Sequence, residues 1–278
     1  MIILVTDIDI ILTKKCNLRC SYCNDTHEDI SMSLDQIEEV CNYIDGKDKN
    51  LTVVLIGGEI TTVPELLHIF LENIKPRMKY INTLYIYTNG YIFNQEIYDF
   101  AKLYKNTRIT LSFDELIDGV ERPIPLDIAK RHIAKYAEIE TTIIATTISS
   151  LNIDKLIPTI DILSELGIKN IKYKFERYYS AELGTNLSEK RIQVLEKIKR
   201  ILDYATSKNI IPYSSASFIP YYSSNNTITK NSDYVCNQRF KLEKNWNHPF
   251  MRKGVFNELP ESYKNMIKDF YGSDSNVV

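Results

Sequence analysis

The sequence predicts an α/β fold: an incomplete (β/α)6 TIM-like barrel with a C-terminal extension. Three observations predict it. Short apolar, β-branched runs alternate six times with longer helical patterns between residues 8 and 207. Such alternation makes parallel strands joined by right-handed crossovers. Six units fall short of the eight that close a barrel. After Asn209 the texture changes, and residues 210–235 become rich in Ser, Tyr and Asn, with Pro212 and Pro220 among them. The expected division is a partial barrel over 1–210 and an extension over 211–278 that covers its open side; the alternative for the extension is a solvated tail.

Ile8–Thr13 reads as the first strand and runs straight into a cysteine-bearing loop. Ser33–Tyr43 is the first helix, with Ser33 as its N-cap. Leu51–Ile56 is the second strand, ended by Gly57-Gly58, and Pro64–Ile74 is a helix with proline in its first turn. Leu84–Thr88 is the third strand, stopped by Asn89-Gly90, and Gln95–Tyr104 follows as a helix. Arg108–Phe113 with Leu126–Ala137 makes the fourth unit, and Thr141–Thr147 with Ile153–Leu166 the fifth. Gly167 stands where a left-handed C′ residue is wanted. Asn170–Phe175 with Ser188–Ser207 completes the sixth.

Composition narrows the function. With 44% hydrophobic and 25% charged residues, the chain of 278 can bury a core. Its net charge is −2 and no block of Lys and Arg occurs, so no nucleic-acid partner is expected. No apolar run reaches the roughly 18 residues of a membrane span. Met1–Val5 resembles a signal h-region only briefly, because Asp7 and Asp9 interrupt it. Five cysteines, an odd number clustered at one end, argue against a secreted disulfide framework and for a reducing cytoplasm.

Cys16, Cys20 and Cys23 form a C-x3-C-x2-C run. Three soft thiolates in one short loop can hold three irons of a four-iron cluster and leave the fourth open to a substrate or cofactor. Zinc is the competing reading, since His27 lies four residues past Cys23 and a Cys3His site is conceivable. The strand ends add polar groups on the same rim. Gly57 and Gly58 would let a ligand approach the backbone, and Glu59 offers a carboxylate to an ammonium group. Asn89-Gly90 follows the third strand, and Ser112 with Asp114 ends the fourth. In the sixth strand Lys172, Lys174 and Glu176 alternate with Ile171, Tyr173 and Phe175, which places the charged set along the lumen as candidate substrate-binding residues. The alternative is a charged, solvent-facing edge.

On these residues the chain resembles the radical S-adenosylmethionine (SAM) enzymes. The likeness covers roughly the first 180 residues, through Cys16-x3-Cys20-x2-Cys23 with Tyr22, Gly57-Gly58-Glu59, Thr88-Asn89-Gly90 and Ser112-Phe113-Asp114. The wording Cys-Asn-Leu-Arg-Cys-x-Tyr-Cys is similar to the branch holding peptide-modifying maturases, sulfatase-maturing enzymes and the molybdopterin-precursor synthase. The resemblance implies that Cys16, Cys20 and Cys23 ligate a [4Fe–4S] cluster whose fourth iron is chelated by SAM. It implies that Gly57, Gly58 and Glu59 hold the SAM ammonium, with Asn89 on the same rim. Ser112 and Asp114 would contact ribose or the methionine end, and Tyr22 the adenine. An electron then cleaves the S–C5′ bond, and the 5′-deoxyadenosyl radical removes a hydrogen from the substrate. A flavodoxin- or ferredoxin-type donor would supply that electron, attracted by Lys14, Lys15 and Arg19; the alternative is that these three form a solvated rim.

Many members of that branch carry a C-terminal domain with extra clusters. Here only Cys41 and Cys236 remain, so one cluster is expected. Cys41 reads as a small buried hydrophobe on the first helix. Cys236 is a candidate hydrogen donor to a substrate radical, a remnant of a lost cluster domain, or an inert thiol. The preferred substrate is a peptide or protein, modified as by a maturase or epimerase, and Tyr213, Tyr221, Tyr222 and Tyr234 would offer an adaptable surface. An A/T-rich coding bias would explain those tyrosines equally well. Because the chain opens almost on its first strand, a leader-recognition domain before the barrel is not expected, and a peptide would dock on the barrel, the extension or a partner. The alternatives are a small metabolite or nucleotide as substrate, and a non-catalytic iron–sulfur or zinc protein.

Overall fold

The computed structural model describes residues 6–23, 27–45, 51–116, 121–175, 189–214 and 236–240. Eight strands, β1 (Thr6–Ile11), β2 (Leu51–Ile56), β3 (Ile81–Thr88), β4 (Thr107–Ser112), β5 (Ile143–Ile148), β6 (Asn170–Phe175), β7 (Ile211–Ser214) and β8 (Cys236–Phe240), lie in one sheet in the order β7-β6-β5-β4-β3-β2-β1-β8. Every neighbouring pair is parallel. The helices α1 (Leu34–Asp45), α2 (Pro64–Ile74), α3 (Gln95–Leu103), α4 (Leu126–Ala137), α5 (Leu156–Glu165) and α6 (Glu189–Ser207) connect successive strands from β1 to β7. Among the described residues β7 and β8 do not pair, so the barrel is incomplete. The two strands beyond the expected six carry weak signals. Ile211–Ser214 is four residues interrupted by Pro212, which only an edge strand tolerates. Cys236–Phe240 has no β-branched residue.

Local chemistry sets the element ends. The Ser33 Oγ accepts the Gln36 N–H at 3.2 Å while the Gln36 Oε1 accepts the Ser33 N–H at 2.9 Å, a reciprocal cap that starts α1. The Asn94 Oδ1 caps α3 by accepting the Ile97 N–H at 2.9 Å. Gly167 has φ +86°, and the Ile168 N–H returns to the Leu163 carbonyl at 3.0 Å, a Schellman closure of α5. The segment expected as one helix from Ile153 opens instead with a 3-10 turn, Ile153–Lys155.

The strands sort their side chains by face. Ile8, Ile10, Val53, Leu55, Leu84, Ile86, Ile109, Ile144 and Ile171 are fully buried against the helical layer. The opposite, lumen face carries Asp9, Val54, Tyr85 and Arg108 in one register row. Cys41 is buried on α1 among the core residues, as expected of a small hydrophobe.

Candidate active site

Past Ile11 the chain leaves the sheet. The Met32 N–H donates to the Leu12 carbonyl at 2.9 Å and the Lys14 N–H to the Ile30 carbonyl at 2.8 Å, closing residues 13–31 into a loop at the C-terminal rim. The Thr13 hydroxyl donates to the Ile30 carbonyl at 3.1 Å and accepts the Lys15 N–H at 3.1 Å. Leu18 is buried and anchors the loop, and the Cys23 N–H turns back to the Cys20 carbonyl at 3.1 Å. Cys16 and Cys20 are half-buried, Cys23 is exposed, and all three are free thiols. Burial raises the pKa values of Cys16 and Cys20. Thiols so placed ionise readily only when a metal or a cation supports them.

The structure also weighs iron against zinc. Around one tetrahedral zinc, bonds near 2.3 Å hold thiolates about 3.8 Å apart. Among the described residues, the group of three or more ligand atoms gathered within 4.8 Å of one another belongs to His68, Glu72 and Glu96, far along the chain from the loop. Cys16, Cys20, Cys23 and His27 form no such group. Three free, soft thiolates in one loop are the donor set that holds three irons of a four-iron cluster. The residues present fit the cluster.

Gly57 and Gly58 follow β2, and the structure gives them a use the sequence did not show. A Cβ on Gly57 would lie 2.4 Å from the Thr13 carbonyl oxygen, and one on Gly58 would lie 2.1 Å from that of Lys15. The cysteine loop's own backbone occupies the space kept clear by these glycines. The Gly58 N–H donates to the Thr13 carbonyl at 2.8 Å and the Glu59 N–H to the Lys15 carbonyl at 2.6 Å, fastening the loop to the end of β2.

Glu59 is 1% exposed, and its carboxylate joins the segment after β2 to the end of β3. Its Oε1 accepts the Thr61 N–H at 3.1 Å, the Thr61 hydroxyl at 2.8 Å and the Thr88 hydroxyl at 2.6 Å, and its Oε2 accepts the Asn89 N–H at 2.5 Å. With about four acceptor positions on a carboxylate, Oε2 keeps capacity for a further donor. Asn89 in turn donates through its side chain to the Asn17 Oδ1 at 2.8 Å, which ties β3 to the cysteine loop. Gly90 has φ +70°, where a side chain would be strained.

Asp114, just beyond β4, is wholly buried and fully engaged. Its Oδ1 accepts the Thr147 N–H at 2.7 Å, and its Oδ2 accepts Arg122 Nε at 3.0 Å and the Tyr22 hydroxyl. Arg122 Nη2 donates to the Tyr22 oxygen at 2.6 Å. Burial works against the Arg122 charge, but Asp114, Tyr22 and Cys20 together outweigh it and the guanidinium pKa is raised. Burial, then Asp114, pushes the Tyr22 phenol up. The Ser21 N–H also donates to the Glu121 carbonyl at 3.0 Å, so residues 121–122 strap the cysteine loop by backbone and side chain together. Arg122 was not found from the sequence. The signal available was chemical: an Asp at a buried strand end needs a cation, and Arg122 is a nearby one.

The remaining expected residues divide. Ser112 ends β4 on the lumen face, in register with Ala145 and Lys172. Lys172 Nζ donates to the Tyr87 hydroxyl at 3.1 Å, reaching from β6 to β3 across the lumen. Lys174 sits on the same face, paired in register with Thr147, and is exposed. Glu176 lies outside the described residues, as do Tyr221, Tyr222 and Tyr234. The backbone of Cys236 pairs with Asp7 near the start of β1. That is four residues, or about 13 Å, from the strand end that feeds the cysteine loop, so Cys236 is not brought to the rim. Lys14 and Lys15 are paired with Glu28 and Asp29 at 3.3 and 2.6 Å, and Arg19 donates to the carbonyls of Cys16 and Leu18 at 2.9 and 2.8 Å. Among the described residues no helix is long and apolar enough to cross a membrane.

Comparison with known proteins adds to this geometry. Residues 10–174 match the model of the Radical SAM superfamily. Among curated proteins none matches the chain in sequence. Among solved structures, SuiB of Streptococcus suis bound to the precursor peptide SuiA is similar with a TM-score of 0.63 and 17% identity, over 82% of this chain and 53% of SuiB. The protein anSMEcpe with bound AdoMet and the Cp18Cys peptide is similar with a TM-score of 0.58 and 15% identity, over 74% of this chain and 62% of that one. Coproporphyrinogen III oxidase (HemN) of Escherichia coli is similar with a TM-score of 0.52 and 12% identity, over 73% and 52%. The matched regions thus cover between half and two thirds of these relatives.

Proposed function

The chain belongs to the radical SAM superfamily, and on that premise we propose that it is an enzyme that cleaves SAM reductively and abstracts a hydrogen from a peptide or protein. The observation that carries the chemistry is the free-thiol loop clamped at three points, to the glycines after β2, to Asn89 and to Asp114–Arg122. Cys16, Cys20 and Cys23 would hold a [4Fe–4S] cluster, which together with SAM would supply the radical chemistry of hydrogen abstraction. The chain's own residues do the positioning. The spare capacity of the Glu59 Oε2 suits an ammonium group, with Gly57 and Gly58 holding the cysteine loop against it. Asn89 fixes the loop through Asn17, and Ser112 presents a hydroxyl to the lumen. Asp114 and Tyr22 act through the loop they brace, so the radical forms at one place relative to the barrel. A flavodoxin- or ferredoxin-type protein is the proposed electron donor. The reducing cytoplasm that keeps thiols free is the proposed location, and 211–278 the proposed cover of the barrel.

Two relatives with bound peptides support the peptide substrate. The likeness to HemN supports the second reading, a small-molecule substrate. The test is an anaerobically reconstituted sample, reduced in the presence of SAM. Release of 5′-deoxyadenosine is expected, and its absence with iron bound overturns the enzymatic reading. Mass spectrometry after incubation with peptides encoded beside the gene, against metabolites, separates the two substrates.

A further inference from the structure

Charge on the lumen side of the sheet is unevenly balanced. Arg108 lies over the Tyr85 ring at 6.0 Å from its centroid. Lys172 is bonded to Tyr87. Arg122 is matched by Asp114, and both Asp114 oxygens are already committed to Thr147, Arg122 and Tyr22. Lys174 is left over. It stands two residues beyond Lys172 on the same face of β6, toward the C-terminal rim, and makes no hydrogen bond or ion pair among the described residues. Its side chain is open to solvent, yet the barrel wall around the ammonium desolvates it and lowers its pKa. Asp114 opposes that shift, and the positive charges of Arg122 and Lys172 add to it. A partly desolvated cation without a counter-charge among the described residues favours the arrival of an anion.

The geometry points to Lys174, with Lys172 one step below it, as a subsite for a carboxylate of the substrate, at the mouth of the lumen beside the cysteine loop. This rests on the proposed peptide reading for what bears the carboxylate: an acidic side chain or the C-terminus of a peptide. Its place follows from the strand. Thr147, the register partner of Lys174, holds Asp114 by its amide, and Asp114 holds Tyr22 between Cys20 and Cys23. A carboxylate on Lys174 therefore anchors a substrate within the reach of groups organised around the cluster loop. Lys172 adds a second positive charge on the lumen side, and its bond to Tyr87 fixes that charge in place.

The test labels lysines in the cluster-loaded protein with an amine-acylating reagent and reads each site by mass spectrometry, with the exposed Lys169 as internal reference. The probes are SAM alone, SAM with a Glu-containing hexapeptide, SAM with its Gln counterpart, and SAM with succinate. The Glu peptide is expected to slow acylation of Lys174 several-fold beyond SAM alone, with the Gln peptide weaker and Lys169 unchanged. Protection complete with SAM alone, and lost with decarboxylated SAM, would assign the site to the cofactor and overturn the proposal. So would Glu and Gln peptides that protect equally, or no protection by any probe. Succinate protecting where the Glu peptide does not would leave the carboxylate subsite standing and remove the peptide. As an independent readout, Lys174→Gln should fold normally, since its side chain is exposed and unbonded. It should bind the Glu and Gln peptides alike by calorimetry, whereas Lys174→Arg keeps the preference.

Discussion

The two faces of the same strands follow different rules. The face toward the helices is a run of fully buried aliphatics, Ile8, Ile10, Leu84, Ile86, Ile109 and Ile144, whose contribution is removal of apolar surface from water. The face toward the lumen, and the rim above it, carries Tyr85, Arg108, Lys172, Asp114 and Glu59, whose contribution is orientation. Stability concentrates on the first and chemistry on the second. The rim complicates the division, because its buried carboxylates are satisfied by groups that also shape the cysteine loop. Asp114 and Glu59 are thus structural in their bonds, and in the proposed function they position the loop that those bonds shape.

The largest test of that division removes chemistry while sparing the fold. Cys20→Ala deletes a half-buried thiol and should change stability by no more than about 1 kcal/mol. Iron per chain should fall from near four toward background, and 5′-deoxyadenosine release should stop. Retention of a stoichiometric, SAM-responsive cluster in this variant would mean that the three-cysteine loop is not the site. A smaller effect tests the rim. Arg122→Gln leaves the buried Asp114 without its cation, and losing one partner of a buried pair costs about 3–5 kcal/mol. Ile86→Ala on the helix face should cost about 2–5 kcal/mol by leaving a cavity. The two variants should differ in kind. Amide exchange across residues 16–23 should rise sharply in Arg122→Gln below its melting temperature and stay near the parent rate in Ile86→Ala. Equal exchange in both would show that the Tyr22–Asp114–Arg122 group is ordinary core.

Much of this division was legible in the sequence, and the helix face most of all. The alternation Ile171, Tyr173 against Lys172, Lys174 identified which side of β6 meets the helices, and the structure agrees, with Ile171 and Tyr173 buried. The Ser33 and Gly167 end signals were readable because each acts within one turn of chain. The rim residues were legible as positions but not as partners. Gly57-Gly58 announced a close approach without saying that the approaching group was the backbone of Thr13 and Lys15. Arg122 was invisible because its partners, Tyr22 and Asp114, lie 100 and 8 residues away and meet it only after the strands pair. β7 and β8 were missed because an edge position tolerates Pro212 and polar residues that a central strand would reject.

The smallest effect sharpens the helix side, which is not wholly apolar. Tyr136 of α4 is fully buried, and its hydroxyl accepts the Asn94 N–H at 3.0 Å. Burial pushes its pKa from 10.0 up to about 12. Below pH 10 the phenol is protonated in both the folded and the unfolded chain, and its contribution to stability is fully present. Between pH 10 and 12 the unfolded chain loses this proton first, so the unfolded state binds fewer protons and stability falls as pH rises. A displacement of about two pH units corresponds to about 2–3 kcal/mol lost across that window. Tyr136→Phe should start lower, having given up the bond to Asn94, but its stability should fall less steeply between pH 10 and 12. The slope should not vanish, because burial also raises the phenols of Tyr22 and Tyr173, and both remain in the variant. Urea midpoints measured at pH 8, 10, 11 and 12 read the difference. Parallel decline of parent and variant would show that the Tyr136 hydroxyl reaches water, and that the helix side of the sheet is less sealed than its aliphatic residues make it.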